Sequence, residues 1–253
     1  MLTSFRGLIA ASLATASLIS FSPANAQDEE VESPVSVSAN VALVTDYRFR
    51  GVSLSAGDVA VQGGIDLALP AGFYVGTWAS SIAGGSAYGD LELDLYGGWS
   101  ADVAEGVTLD VGVLYYLYPT EKNADGFDDN VNYWEPYASI GTTMGPVEAT
   151  IGAAYAWDQD SLGGDNLYLY TDLGTAIPNT PISLSAHLGY TDGVLAPPVL
   201  AGAVDDTGFD WSVGASATVL GSLDIGVSYI GVEGPSVDGL TDDAIVGTLS
   251  VSF

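Results

Sequence analysis

The chain has 253 residues, of which 32 are Asp or Glu and 4 are Lys or Arg, for a formal net charge of −28 at pH 7. Hydrophobic residues make up 48% and charged residues only 14%, which excludes intrinsic disorder, a property of apolar-poor chains, and four basic side chains exclude a phosphate-binding track for nucleic acid. With no cysteine there is no disulfide framework, thiolate metal site or Cys nucleophile.

Residues 1–26 carry Arg6, an apolar stretch from Gly7 to Phe21, and the small-residue ending Ala24-Asn25-Ala26. This is the pattern of a secretory signal peptide cleaved after Ala26; the apolar stretch is shorter than the roughly 20 residues a membrane-spanning helix needs. Cleavage removes Arg6 and leaves every acid in place. Residues 27–34 (Gln-Asp-Glu-Glu-Val-Glu-Ser-Pro) read as an acidic, flexible lead-in.

From Val35 the chain alternates with a period of two. Val35, Val37, Ala39, Val41, Leu43, Thr45, Tyr47 and Phe49 share one face, and Ser36, Ser38, Asn40, Asp46, Arg48 and Arg50 lie on the other. A strand with one apolar face sorts residues in this way and a helix does not. Similar runs follow at 59–69, 90–99, 107–117, 147–157, 167–175, 182–190, 209–217, 223–229 and 245–253, with weaker ones at 73–81 and 134–142, where apolar residues lie on both faces. The reading is a domain over 35–253 made of about twelve strands, an all-β antiparallel transmembrane barrel.

Short turns at 70–72, 104–106, 144–146, 178–181 and 220–222 alternate with longer polar connections at 51–58, 81–89, 119–131, 158–165, 192–207 and 231–243. Tight periplasmic turns and longer outside loops distinguish outer-membrane barrels. With the N-terminus in the periplasm, Tyr47, Phe49, Tyr115, Trp134, Trp157, Tyr190, Phe209, Trp211 and Tyr229 fall at the outer ends of their strands, and Phe73, Trp99 and Phe253 at the periplasmic ends. Those are the positions of two aromatic girdles at the lipid boundaries.

The stretch from Asn40 to Ser53 (Asn-Val-Ala-Leu-Val-Thr-Asp-Tyr-Arg-Phe-Arg-Gly-Val-Ser), with Val61–Asp66, Gly72–Ser80 and Leu91–Gly98, resembles the TorF porin family. The resemblance in motif covers about residues 36–100; the remainder is similar in layout. It implies a Gram-negative outer-membrane barrel with pore activity, and it carries no functional residues over. The closing Val251-Ser252-Phe253 is similar to the C-terminal aromatic signal read by the barrel-assembly machinery, which becomes an expected partner beside lipid and lipopolysaccharide.

An apolar outer face leaves the polar set inward, including Asp46, Asp66, Asp90, Glu92, Asp94, Asp110, Glu135, Glu148, Asp172, Asp210 and Asp224 against Arg48, Arg50 and the lone His187. Carboxylates focused by a low-dielectric wall favour cations, so small hydrophilic solutes and ions, cations above anions, are the expected traffic. Arg48 and Arg50 fall near the outer ends of strands, as do Asp90, Glu92, Glu135 and Asp210. Two arrangements stand open: charges opposed across a constriction, or ion pairs that brace the wall or plug the barrel.

Inward glycines (Gly64, Gly76, Gly98, Gly112, Gly141, Gly152, Gly174, Gly189, Gly214 and Gly226) either leave a water path or relieve curvature. Inward tyrosines, among them Tyr96, Tyr116, Tyr133, Tyr137, Tyr168 and Tyr170, either stack sugars or fill space against the wall. A closed barrel acting through its acidic loops is the rival function. A hydrolase using Ser185 and His187 ranks last, for want of an orienting third group; His187 reads as a solvated lumen residue. Asp125–Asn130 hints at calcium but lacks EF-hand spacing. The reading assigns no cofactor, no metal ligands and no catalytic residues.

Overall fold

The structure is a computed structural model that describes residues 35–121 and 131–253. The expected signal peptide, the lead-in at 27–34 and the calcium-like stretch at 125–130 lie outside the described residues.

Twelve strands form one closed antiparallel barrel in sequence order. They are β1 Ser36–Val44, β2 Ala60–Ala68, β3 Phe73–Ser81, β4 Leu91–Ala104, β5 Val107–Leu117, β6 Tyr133–Met144, β7 Val147–Gln159, β8 Gly164–Ala176, β9 Ile182–Gly193, β10 Thr207–Val219, β11 Leu223–Val232 and β12 Ala244–Ser252. The ring closes where β1 pairs with β12, from Asn40–Ser252 to Val44–Thr248. Ala39 and Phe253 exchange two backbone hydrogen bonds of 3.2 and 2.9 Å beyond that ladder, so the seam is paired to the last residue. Closure removes the unpaired edges that an open sheet exposes.

The alternation read from the sequence is the alternation of the wall. On β6, Trp134, Pro136, Ala138 and Ile140 are exposed outward, while Tyr133, Glu135, Tyr137 and Ser139 are buried inside. The two weakly patterned strands, β3 and β6, are weak because their inward faces hold Tyr74 and Trp78, and Tyr133 and Tyr137, so apolar mass stands on both sides. At the end of the barrel bearing the longer connections, outward aromatics pair across strands. Tyr115 stacks on Trp134 with centroids 4.2 Å apart, Tyr190 meets Phe209 at 5.1 Å, and Trp211 meets Tyr229 at 5.3 Å.

Three expectations change. First, β1 stops at Val44 and the chain turns inward, so Tyr47 and Phe49 are 1% and 9% exposed rather than part of an outward girdle. Second, the connection between β7 and β8 shrinks to 160–163, shorter than the 177–181 turn, which breaks the regular alternation of long and short. Third, the inward glycines at 76, 98, 112 and 152 each sit against a tyrosine ring of the neighbouring strand, so the space at those four is filled. A Cβ at Gly76 would lie 2.5 Å from the ring of Tyr96, and one at Gly112 would lie 2.5 Å from Tyr137; Gly98 and Gly152 sit likewise under Tyr74 and Tyr170. Each of these four tyrosines packs against a glycine of the neighbouring strand, a contact that only the missing side chain allows.

Candidate functional site

The lumen is occupied at its loop end by residues 46–55. Arg48–Phe49 and Val52–Ser53 pair as a miniature antiparallel hairpin whose tip is Arg50-Gly51. Both tip residues have positive φ, 50° and 78°, the backbone of a tight two-residue turn whose twist matches paired strands. Glycine at 51 is required twice over: by its φ, and because a Cβ there would collide with Val232 and come within 2.9 Å of Asp210. The hairpin tip therefore packs against β10 and β11, beyond the β1–β12 seam.

Asp46 anchors the hairpin's base. One carboxylate oxygen accepts from Ser53 Oγ at 2.5 Å and Ser55 Oγ at 3.1 Å, and the other accepts from Arg48 Nε at 2.6 Å. Arg48 also donates to the carbonyl of Gly51 and, through Nη1 and Nη2, to the backbone carbonyl and the carboxylate of Asp242. Arg50 donates from Nη2 to both oxygens of Glu135, at 2.8 and 2.7 Å, and Tyr116 donates to the same carboxylate at 3.1 Å. The Arg50 guanidinium is sandwiched at 4.6 Å from the Phe49 ring centroid and 4.2 Å from that of Tyr168, a cation–π contact strengthened by exclusion of water.

The hairpin closes this level of the barrel. Every strand contributes a buried inward residue near its loop end, from Val44 on β1 through Glu135 on β6 to Val246 on β12. Arg48 and Glu135, at 1% and 0% exposure, are as shielded as any core residue. Below it, toward the short turns, Asp66, Asp172 and Asp224 are only half-buried and Glu148 is exposed.

Of the sequence-derived candidates, Arg48, Arg50, Glu92, Asp94, Asp110, Glu135 and Asp210 are all buried inside the barrel. Asp90 is not among them: it is exposed in the connection preceding β4, where its backbone N–H donates to Thr120 Oγ1 at 2.8 Å. Glu92 accepts from Tyr47 of the hairpin at 3.0 Å. Asp110 accepts from Tyr74 at 2.7 Å, and Tyr74 and Tyr137 share a 2.5 Å contact. The two arginines do not oppose bare carboxylates across an open gap; they are paired inside a plug.

His187 departs from its expected role. Its Nδ1 lies 2.6 Å from Asp172 and its Nε2 3.0 Å from Asp210 and 2.8 Å from the Tyr168 hydroxyl. Nδ1 faces a carboxylate and Nε2 lies between a carboxylate and a tyrosine hydroxyl, so His187 is bound into a polar cluster of the lumen rather than solvated. No serine is among these partners. The sequence offered one signal for the hairpin, an Arg-Gly dipeptide flanked by Phe49 and Val52; nothing in it marked the His187 cluster or Asp242, whose partners lie on distant strands.

The family model described as a bacterial protein of unknown function (Gcw_chp) matches residues 28–253. The chain belongs to this family. No curated protein matches it. Among solved structures, the NanC porin shares 8% identity over 86% of this chain and 99% of its own, with a TM-score of 0.57. The KdgM porin, solved with disordered oligogalacturonate, shares 8% identity over 86% and 97%, with a TM-score of 0.54. An outer membrane channel from Pseudomonas putida F1 shares 14% identity over 91% and 99%, with a TM-score of 0.50. At these identities the likeness is one of fold.

Proposed function

We propose that the protein is an outer-membrane channel for passive diffusion of small hydrophilic solutes, favouring cations, and that the 46–55 hairpin is its constriction, captured here closed. Kinship with the TorF porins, recognition of Phe253 by the barrel-assembly machinery and contact of the acidic loops with lipopolysaccharide belong to the same proposal. The outward apolar band of a closed barrel supports the bilayer location, since only helices and closed barrels satisfy their backbone in lipid. The observation that carries the channel reading is the chemistry of the interior. A barrel built only to be rigid is filled most stably by apolar side chains, whereas this one holds Asp46, Glu92, Asp94, Asp110, Glu135 and Asp210 buried inside. Such a lining attracts cations and repels anions. No catalytic step enters the proposal, because both nitrogens of His187 are engaged by carboxylates.

The hairpin itself favours a second reading, a closed barrel acting through its loops, because it seals the loop end in this structure. Planar-bilayer recordings of wild type and of a variant lacking residues 47–54 separate the two. The channel reading expects cation-selective current that grows when the hairpin is removed; a silent hairpin-less barrel would establish the closed reading.

A further inference from the structure

The buried charges of the lumen do not balance among the described residues. Asp46 faces Arg48, Glu135 faces Arg50 and Asp210 faces His187. Asp110 receives the Tyr74 hydroxyl and the half-buried Asp66 receives that of Tyr96. Glu92 and Asp94 have no cation. Glu92 is 1% exposed, accepts only from Tyr47 through Oε1, and leaves Oε2 buried without a partner; Asp94 is 6% exposed and its buried Oδ1 has none either. Asp110 and Asp210 each also keep one unpartnered oxygen, but each has a donor or a cation on the other. Glu92 and Asp94 stand two residues apart on the inward face of β4, about 7 Å along the strand, so two uncompensated carboxyls share one patch.

Two buried like charges of this kind are heavily disfavoured, so the pair either takes up protons, which still leaves buried lone pairs unfilled, or meets a counter-charge that fills them. The surroundings specify which counter-charge. No three His, Cys, Asp or Glu side chains among the described residues are arranged to hold a metal ion, which argues against a divalent cation. The wall is aromatic instead: Asp94 is flanked in register by Trp78 on β3 and Tyr116 on β5, and Tyr47 packs edge-on against Trp78 at 5.4 Å. Acceptor oxygens beside aromatic faces suit a cation that donates hydrogen bonds and presents C–H surface.

We propose that Glu92 and Asp94 bind the ammonium group of a small protonated amine inside the barrel. This deepens the channel reading by naming the class of cation. Because Tyr47 of the hairpin is hydrogen-bonded to Glu92, occupancy of the site and position of the plug are coupled.

Titration calorimetry on the detergent-solubilised mature barrel tests the site without requiring conduction. Methylammonium, tetramethylammonium, potassium and magnesium chlorides are titrated at constant ionic strength. Methylammonium is expected to bind saturably and more tightly than the other three. E92Q and D94N each weaken it about tenfold, the value of a charge-assisted hydrogen bond, while E148Q, at the exposed turn end, leaves it unchanged. Heat-modifiable gel mobility establishes that each variant is folded, and the wild-type cation series stands even where one is not. Equal binding of all four cations, preference for magnesium, or no saturable binding would overturn the proposal. Lys122 lies outside the described residues; a gain of affinity in K122Q would overturn it too, by showing that the chain's own ammonium fills the site. Binding without current in bilayers would retain the site and remove the channel, and current without binding the reverse.

Discussion

Arg50 ties the hairpin to β6, because its one ion pair among the described residues, with Glu135, is fully buried. Removing one member of such a pair strands the other charge and costs about 3–5 kcal/mol, whereas replacing both with apolar groups is often neutral. The hairpin carries its own reporter, since trypsin cleaves after arginine and both hairpin arginines are buried while it is docked. In E135Q, cleavage at Arg48 and Arg50 is expected to rise roughly a hundredfold or more. In R50M/E135L, cleavage at Arg48 is expected to return toward the wild-type rate. Equal cleavage of wild type and E135Q would mean that the pair does not hold the hairpin. Gly51→Ala tests the tip independently: a methyl group driven against Val232 and Asp210 costs about 1–3 kcal/mol by overpacking, and the same cleavage assay reads the release.

At the scale of elements, the sequence revealed the strands and concealed the plug for one physical reason. A period of two reports that a segment is extended with two unlike faces; it does not report which neighbour the segment pairs with. Val35 to Val44 and Tyr47 to Phe49 follow one uninterrupted alternation, yet the first part pairs with β2 and β12 and the second with Val52–Ser53 inside the barrel. Inward placement of Arg48, Arg50, Glu92 and Glu135 was legible because charge does not face lipid. Their pairing was not, because Glu135 and Asp242 come from strands and loops far along the chain. The glycines follow the same logic, since a strand alone does not show whose tyrosine lies across it. Gly112→Ala, which would press a methyl group onto the Tyr137 ring, is expected to destabilise the barrel by about 1–3 kcal/mol. Gly226→Ala, whose nearest neighbour would be 3.7 Å away, is expected to be neutral. The temperature at which each variant shifts to its unfolded gel mobility checks both, and equal shifts would refute the tyrosine-over-glycine packing.

Over the whole molecule, the excess of acid is sorted rather than spread. Apolar residues form the outward band, carboxylates line the interior and the loops, and the few bases of the described chain, Arg48, Arg50 and His187, are each spent on a carboxylate inside the barrel. The interior carboxylates left without a cation, Glu92 and Asp94 among them, are the basis of the proposed cation preference. The most direct test is the reversal potential across a planar bilayer in a KCl gradient, recorded for the variant lacking residues 47–54 so that the plug does not limit current. The potential is expected to be displaced toward the equilibrium value for potassium, with the displacement shrinking as salt screens the lining. A potential displaced toward that of chloride, or no current at all, would contradict it.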